Sequence, residues 1–142
     1  MKHYLVIIIL LVCSGIAGGQ VLNVNIINIR DLKGQICVAI FRNQSEFASE
    51  TTYWKTNYPK DKVIGHALKL KIQLQPGKYG LSVLDDENNT GRMEYKLFGI
   101  PNKGFGFANY IQHGIHKPTF EDFSFMLSEN ETKNLTVRMK YF

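Results

Sequence analysis

Cysteine is scarce in this chain, with two residues among 142, at Cys13 and Cys37. A disulfide framework of the kind that staples small secreted domains is therefore excluded once Cys13 is removed with the leader described below. Cys37 lies in the apolar segment Gln35–Phe41, where we expect it to be a buried small hydrophobic residue. Catalysis by its thiolate would need a partner histidine, and nothing in the sequence places one beside it.

Apolar runs long enough for a membrane-spanning helix, about 20 residues, are absent as well. The apolar run Tyr4–Val12 is much shorter, and it follows the basic residue Lys2. Small residues come next, among them Ala17 and Gly19. This order predicts a secretory signal peptide over residues 1–19, cleaved after Ala17 or Gly19.

A signal peptide implies export, so we expect a periplasmic or extracellular protein that is not a transmembrane protein. Residues 20–142 have the length of one domain and can bury a core without covalent staples. The segment Leu10–Cys13 loosely resembles a lipobox, so a lipid anchor at Cys13 is the alternative to a free mature chain.

Charge of one sign is not concentrated anywhere, although the chain carries a formal net charge of +5. A nucleic-acid binder would gather its basic residues on one element, so this distribution argues against a nucleic-acid partner. Lys69 and Lys71 alternate with apolar residues on one predicted strand, which is typical of a solvent-facing surface.

Alternation of apolar and polar residues is the dominant pattern and predicts strands. It recurs around Leu22–Ile26, Leu68–Leu74, Phe123–Leu127 and Leu135–Tyr141. Short turns predict that Gln35–Phe41 forms a hairpin with the first of these strands, and that Tyr79–Leu84 is the partner of the second. About seven short strands with almost no helix predict an all-β fold, an antiparallel β-sandwich. Its core should include the following residues: Val24, Ile26, Val38, Leu70, Ile72, Tyr79, Leu81, Phe125 and Val137.

Between two of these strands, residues 42–61 form a long connection with a helical turn at Ser45–Glu50. Its aromatic residues Phe47 and Trp54 are expected to cover one open end of the sandwich. Together with Phe105 and Phe107 they also suggest a binding site for a small apolar ligand.

The segment 85–94, called the acidic loop below, is the best candidate for a metal site. Asp86, Asn88, Thr90 and Glu94 fall at positions 1, 3, 5 and 9 of an EF-hand loop, whose oxygen ligands wrap Ca²⁺. Position 12, which normally supplies a bidentate carboxylate, is Leu97. A weak calcium site and a plain polar turn are therefore both compatible with this pattern.

Two other groups of residues could form a metal site or a catalytic site. His113 and His116 are three residues apart, but a tetrahedral zinc site needs three or four ligands. Glu121 and Asp122 could act as a hydrolytic acid/base pair, although neighbouring strand residues would point to opposite faces.

Five short motifs follow one another along the chain, namely Gly77–Gly80, Asp85–Asn88, Phe98–Pro101, Gly104–Phe107 and Phe120–Asp122. Together they resemble a bacterial exported family, domain of unknown function 2141. The resemblance covers essentially the whole mature chain. It implies a periplasmic or surface sandwich domain, immunoglobulin-like or transthyretin-like, with no established reaction. The acidic loop of that family typically reads D-E-N-G-N-G-K-hydrophobic-D, and here Asn89 and Thr90 replace a Gly-Asn pair while Glu94 replaces Asp.

The sequence thus favours an exported, non-catalytic binding module of the bacterial cell envelope that needs no cofactor apart from the calcium ion considered above. Its partner could be another envelope protein or a glycan. A carrier of a small apolar ligand is the first alternative, and a hydrolase that uses Glu121 or Asp122 is the second.

Overall fold

The computed structural model describes residues 19–142. The predicted signal peptide and the alternative lipid site at Cys13 lie outside this range, apart from Gly19, and stay predictions. The described residues form eight strands and two short α-helices. The strands are β1 Gln20–Ile27, β2 Gln35–Phe41, β3 Trp54–Pro59, β4 Leu68–Leu74, β5 Gly77–Asp86, β6 Gly104–Phe107, β7 Ser124–Leu127 and β8 Thr132–Arg138. The helices are α1 Gln44–Ser49 and α2 Phe120–Phe123.

The strands form two sheets. The smaller sheet has the order β4-β1-β8, and the larger has the order β3-β2-β5-β6, with β7 paired to the first part of β5. β1 and β8 run parallel, whereas the other strand pairs are antiparallel. The predicted all-β sandwich is confirmed, with eight strands in place of about seven. No helix within residues 19–142 is long and apolar enough to span a membrane.

Both predicted hairpins are wrong. β1 and β2 belong to different sheets, as do β4 and β5, so the turns between them carry the chain across the sandwich. Alternation on a strand specifies which face is buried, but it does not specify the neighbouring strand. After β1 the chain changes direction at Asn28, which adopts a left-handed φ of 66°, and at Gly34, with a φ of 72°.

The core lies between the two sheets, where the alternating apolar residues face each other. Seven of the nine residues predicted for it are buried, and Leu70 and Phe125 are partly buried and pack against it. The helical turn predicted at Ser45–Glu50 is α1, although its N-cap is Asn43, whose side chain accepts a hydrogen bond from the Glu46 amide.

Glycine alternates with phenylalanine along β6 because the two faces of this strand have different neighbours. A Cβ atom on Gly106 would lie 2.6 Å from Val137 Cγ1 and 2.7 Å from the Arg138 carbonyl oxygen. The absence of side chains on this inner face lets β8 approach β6 closely. Phe105 and Phe107 consequently point to the opposite, outer face of the larger sheet.

We expect Gly106→Ala to lower the free energy of unfolding by about 1–3 kcal/mol, because the added methyl group must displace Val137 and the β8 backbone. Urea denaturation measures this loss. Lys69→Ala, at an exposed position of β4, should change stability by no more than about 0.5 kcal/mol. Equal stability of Gly106→Ala and the wild type would contradict the close approach of β6 and β8.

Candidate functional site

The outer face of the larger sheet carries a cavity of about 250 Å³. Residues of β5 with odd numbers face the core, so its even-numbered residues face outward. The floor is formed by outward side chains of β2, β5 and β6, namely Cys37, Ala39, Phe41, Ser82, Leu84, Phe105 and Phe107. Most of this floor is apolar, which is typical of a small-molecule site.

Three segments form the walls of the cavity. One runs from α1 to the start of β3, another is the loop between β5 and β6, and the third precedes α2. Their lining residues are Phe47, Glu50, Thr52, Lys55, Gly91, Arg92, Met93, Tyr95, Gly99, Pro101, Ile115, His116, Lys117 and Pro118. Long connections thus enclose a concave space against a rigid sheet, as in many binding sites.

A cluster of phenylalanine rings supports one side of the cavity. The Phe47 ring lies edge-on to Phe107 and Phe123, with centroid distances of 5.9 and 4.9 Å. Phe123 and Phe120 of α2 pack over Gly80, where a Cβ atom would be only 2.6 Å from the Phe123 ring. Phe47 therefore covers the face of the larger sheet.

Of the aromatic residues predicted to line a ligand site, Phe47, Phe105 and Phe107 line this cavity. The prediction is wrong for Trp54, which packs against the core between the sheets. Trp54 and Lys55 are neighbours on β3 and point to opposite faces, so Lys55 reaches the cavity.

The rim of the cavity is more basic than acidic. Lys55, Arg92 and Lys117 carry positive charge, against the single carboxylate of Glu50. Lys117 Nζ lies 4.4 Å from the centroid of the Phe47 ring and 3.8 Å from Glu50 Oε1. The Lys55 ammonium donates to the Gly91 carbonyl oxygen at 3.1 Å. These side chains place cationic groups at the edge of an apolar space.

The Cys37 thiol is buried in the cavity floor, as the sequence predicted. Burial and the nearby Asp86 carboxylate raise its pKa to about 11, so it stays protonated at neutral pH. A thiol in this state is a poor nucleophile.

Asp86 ends β5 on the outer face and is fully buried. Its Oδ2 accepts hydrogen bonds from Gln35 Nε2 and from the Gly91 amide, both at 2.8 Å. Its Oδ1 accepts from the Thr90 amide at 3.1 Å and from Lys103 Nζ at 2.6 Å. Burial raises the pKa of this carboxyl, but the hydrogen bonds from Gln35, Lys103 and the loop amides outweigh that effect and hold the pKa well below its usual range.

The other predicted metal ligands lie around Asp86. Thr90 Oγ1 and Glu94 face the same ammonium group, that of Lys103. The Asn88 side-chain amide donates instead to Glu94, at 3.1 Å from Oε2. The structure thus brings the predicted residues into one cluster. Sequence reasoning missed Lys103, because an isolated lysine before Gly104 carries no signal of burial.

The other two groups considered from the sequence lie in α2 and in the segment before it. Glu121 and Asp122 lie in α2, where the Lys78 ammonium donates to Glu121 at 2.7 Å and Asp122 accepts from the Thr119 amide at 2.7 Å. His113 and His116 are exposed. Within residues 19–142, no group of three or more His, Cys, Asp or Glu side chains is arranged to hold a metal ion.

We expect Asp86→Asn to destabilise the protein by about 3–5 kcal/mol at pH 7, because it leaves the buried Lys103 without its carboxylate partner. Folding depresses the Asp86 pKa, so its stabilising effect is present above the unfolded value of about 3.9 and is lost as the pH falls through the lower folded value. Denaturant unfolding at pH 7 and pH 3 should show the difference from wild type shrinking by about 1 kcal/mol at the lower pH.

Asp61→Asn is the matched control, since Asp61 is exposed and should show little effect at either pH. A difference between wild type and Asp86→Asn that stays constant from pH 7 to pH 3 would contradict a depressed pKa.

A known family model matches a stretch that contains β2 to β7, the cavity floor and the acidic loop, together with parts of β1 and β8. That model, described as an uncharacterized protein conserved in bacteria (DUF2141), matches residues 24–135. No curated protein and no solved structure was found to match the chain. On the extent of this match, the chain belongs to the bacterial family DUF2141.

Proposed function

We propose that this chain is an exported, non-catalytic binding module of the bacterial cell envelope. Its ligand is a small molecule with an apolar body and an anionic head group. The observation that supports this proposal is the cavity on the outer face of the larger sheet, with an apolar floor and a cationic rim. The cavity favours the carrier of a small ligand over the envelope protein or glycan expected first from the sequence.

The floor supplies the main driving force for binding. Leu84 and Phe105 are only partly buried, so part of their apolar surface is free to contact a ligand. Removing such surface from water contributes roughly 25 cal/mol per Å². The volume of about 250 Å³ lies just below the range of about 300–1,000 Å³ common for drug-sized ligands, so a small or single-chain molecule fits best.

The rim of the cavity should favour ligands with a negative charge. Three cationic side chains and one carboxylate leave an excess of positive charge at the cavity edge. The whole chain is also basic, with a formal net charge of +5, which favours encounter with anions. An anionic head group at the rim would pair with Lys117 or Lys55 while the apolar body contacts the floor.

The surroundings of the reactive side chains agree with a non-catalytic function. The Cys37 thiol is protonated at neutral pH, and Glu121 and Asp122 are engaged by Lys78 and by the cap of α2. The proposed module needs no metal, since its walls and floor are made by side chains of the chain itself.

Octanoate and 1-octanol share an apolar chain and differ in head group. Comparing their binding therefore tests the apolar floor and the cationic rim separately. Isothermal titration calorimetry should detect octanoate binding to the wild type, with weaker binding of 1-octanol. Phe105→Ala should weaken both ligands by about tenfold, a loss of about 1.4 kcal/mol. Lys117→Met should weaken octanoate by up to about fivefold, as for an exposed ion pair, and leave 1-octanol unchanged.

Lys69→Met on the exposed face of β4 removes the same charge far from the cavity and should leave octanoate binding unchanged. The proposal fails if neither ligand binds the wild type, or if Phe105→Ala folds normally and binds both ligands as tightly as the wild type does.

Export is a separate prediction, motivated by Lys2, the apolar run Tyr4–Val12 and the small residues that follow. The mature protein should begin near residues 18–21. Mass spectrometry of protein recovered from the envelope fraction measures this directly. A mature chain that keeps Met1 would refute export, and one that begins at a lipidated Cys13 would place the module on a membrane surface.

A further inference from the structure

The acidic loop folds around an ammonium group. The Lys103 side chain is almost fully buried, with 4% of its surface exposed. Its Nζ donates to Asp86 Oδ1 at 2.6 Å, to the Arg92 carbonyl oxygen at 2.8 Å and to Thr90 Oγ1. An ammonium has three N–H donors and no acceptor, so these three oxygen atoms satisfy it completely. Glu94 Oε1 adds a second carboxylate at 3.6 Å.

The same oxygen atoms occupy the positions that hold a metal in an EF-hand loop. Counted from Asp86, Thr90 is position 5, Arg92 is position 7 and Glu94 is position 9. Position 7 contributes a backbone carbonyl in calcium loops, and here it is the Arg92 carbonyl that accepts from Lys103. Asn88, at position 3, is turned toward Glu94 instead.

We infer that Lys103 is the resident cation of the acidic loop, and that the chain thereby replaces a bound divalent metal ion with its own side chain. The conformation of this loop is then fixed when the chain folds and does not depend on the concentration of Ca²⁺. A calcium ion could enter only by expelling the ammonium, which would leave a buried cation without partners.

The oxygen atoms around the Lys103 ammonium are also suitable ligands for Ca²⁺. If the ammonium is removed, two carboxylates, a hydroxyl and a carbonyl remain pointed at one place, and these are ligands that Ca²⁺ accepts at about 2.3–2.6 Å. Glutamate at position 103 would add a third carboxylate. Because glutamate is shorter than lysine, its oxygen atoms would stop short of the ammonium position and leave room for the ion.

The replacement also bears on the cavity, because Gly91 and Arg92 belong both to the loop and to the cavity wall. A wall held by Lys103 keeps the same shape at any calcium concentration outside the cell. The inference itself does not rest on the proposed ligand, since it concerns the cation at the loop and is tested without any ligand.

Thermal unfolding followed by circular dichroism in millimolar CaCl₂ and in EGTA tests the inference. The wild type should melt at the same temperature in both. Lys103→Glu should be destabilised in EGTA and recover stability in CaCl₂, with half-saturation on the order of 10⁻⁴–10⁻³ M. Adding Asp86→Asn to Lys103→Glu should abolish that recovery.

The chain offers a matched control in Lys60, a second buried lysine that lies 2.5 Å from Asp85 on the opposite face of β5. Lys60→Gln should lose stability to a similar degree and melt identically in CaCl₂ and EGTA. A rise in the melting temperature of the wild type with CaCl₂ would overturn the inference. If Lys103→Glu fails to fold in both media, Lys103→Gln decides: stabilisation by CaCl₂ supports the inference, and identical melts overturn it.

Discussion

β5 ends in two consecutive aspartates, Asp85 and Asp86, which lie on opposite faces of the larger sheet. Each carboxylate therefore needs a cationic partner of its own. Strand geometry sends the Asp85 side chain inward and the Asp86 side chain outward, and both are fully buried. A buried carboxylate is tolerated only when it is paired and hydrogen-bonded. Asp85 contacts Lys60 Nζ at 2.5 Å and accepts from the Tyr141 hydroxyl at 2.6 Å, while Asp86 has Lys103.

These two pairs join segments that are distant in the sequence. On the inner side, Asp85 connects β5 to the 3₁₀ turn Lys60–Lys62 and to the C-terminal segment that carries Tyr141. On the outer side, Asp86 connects β5 to the acidic loop and to the residue before β6. The outer pair therefore holds in place Gly91 and Arg92, which form part of the cavity wall.

Periodicity in the sequence predicts the sandwich because it reports which side chains are buried. Val24, Val38 and Val137 reach the core as their alternation requires. The same signal does not determine strand pairing. The short turn after β1 predicts a hairpin with β2, yet the two strands lie in different sheets. The ligand pattern of the acidic loop identifies oxygen atoms that do converge. It cannot identify the cation, because Lys103 reaches Asp86 only after the chain between them has folded back.

We propose that the cavity beside this loop binds a small molecule with an apolar body and an anionic head group. Isotope-filtered nuclear Overhauser spectroscopy of octanoate with labelled protein tests it most directly, because it locates the bound molecule. Methylene protons of octanoate should show contacts with Leu84, Phe105 and Phe107, and the protons next to its carboxylate should show contacts with Lys117. Contacts confined to exposed apolar residues elsewhere, such as Leu32 and Ile64, would contradict binding in this cavity.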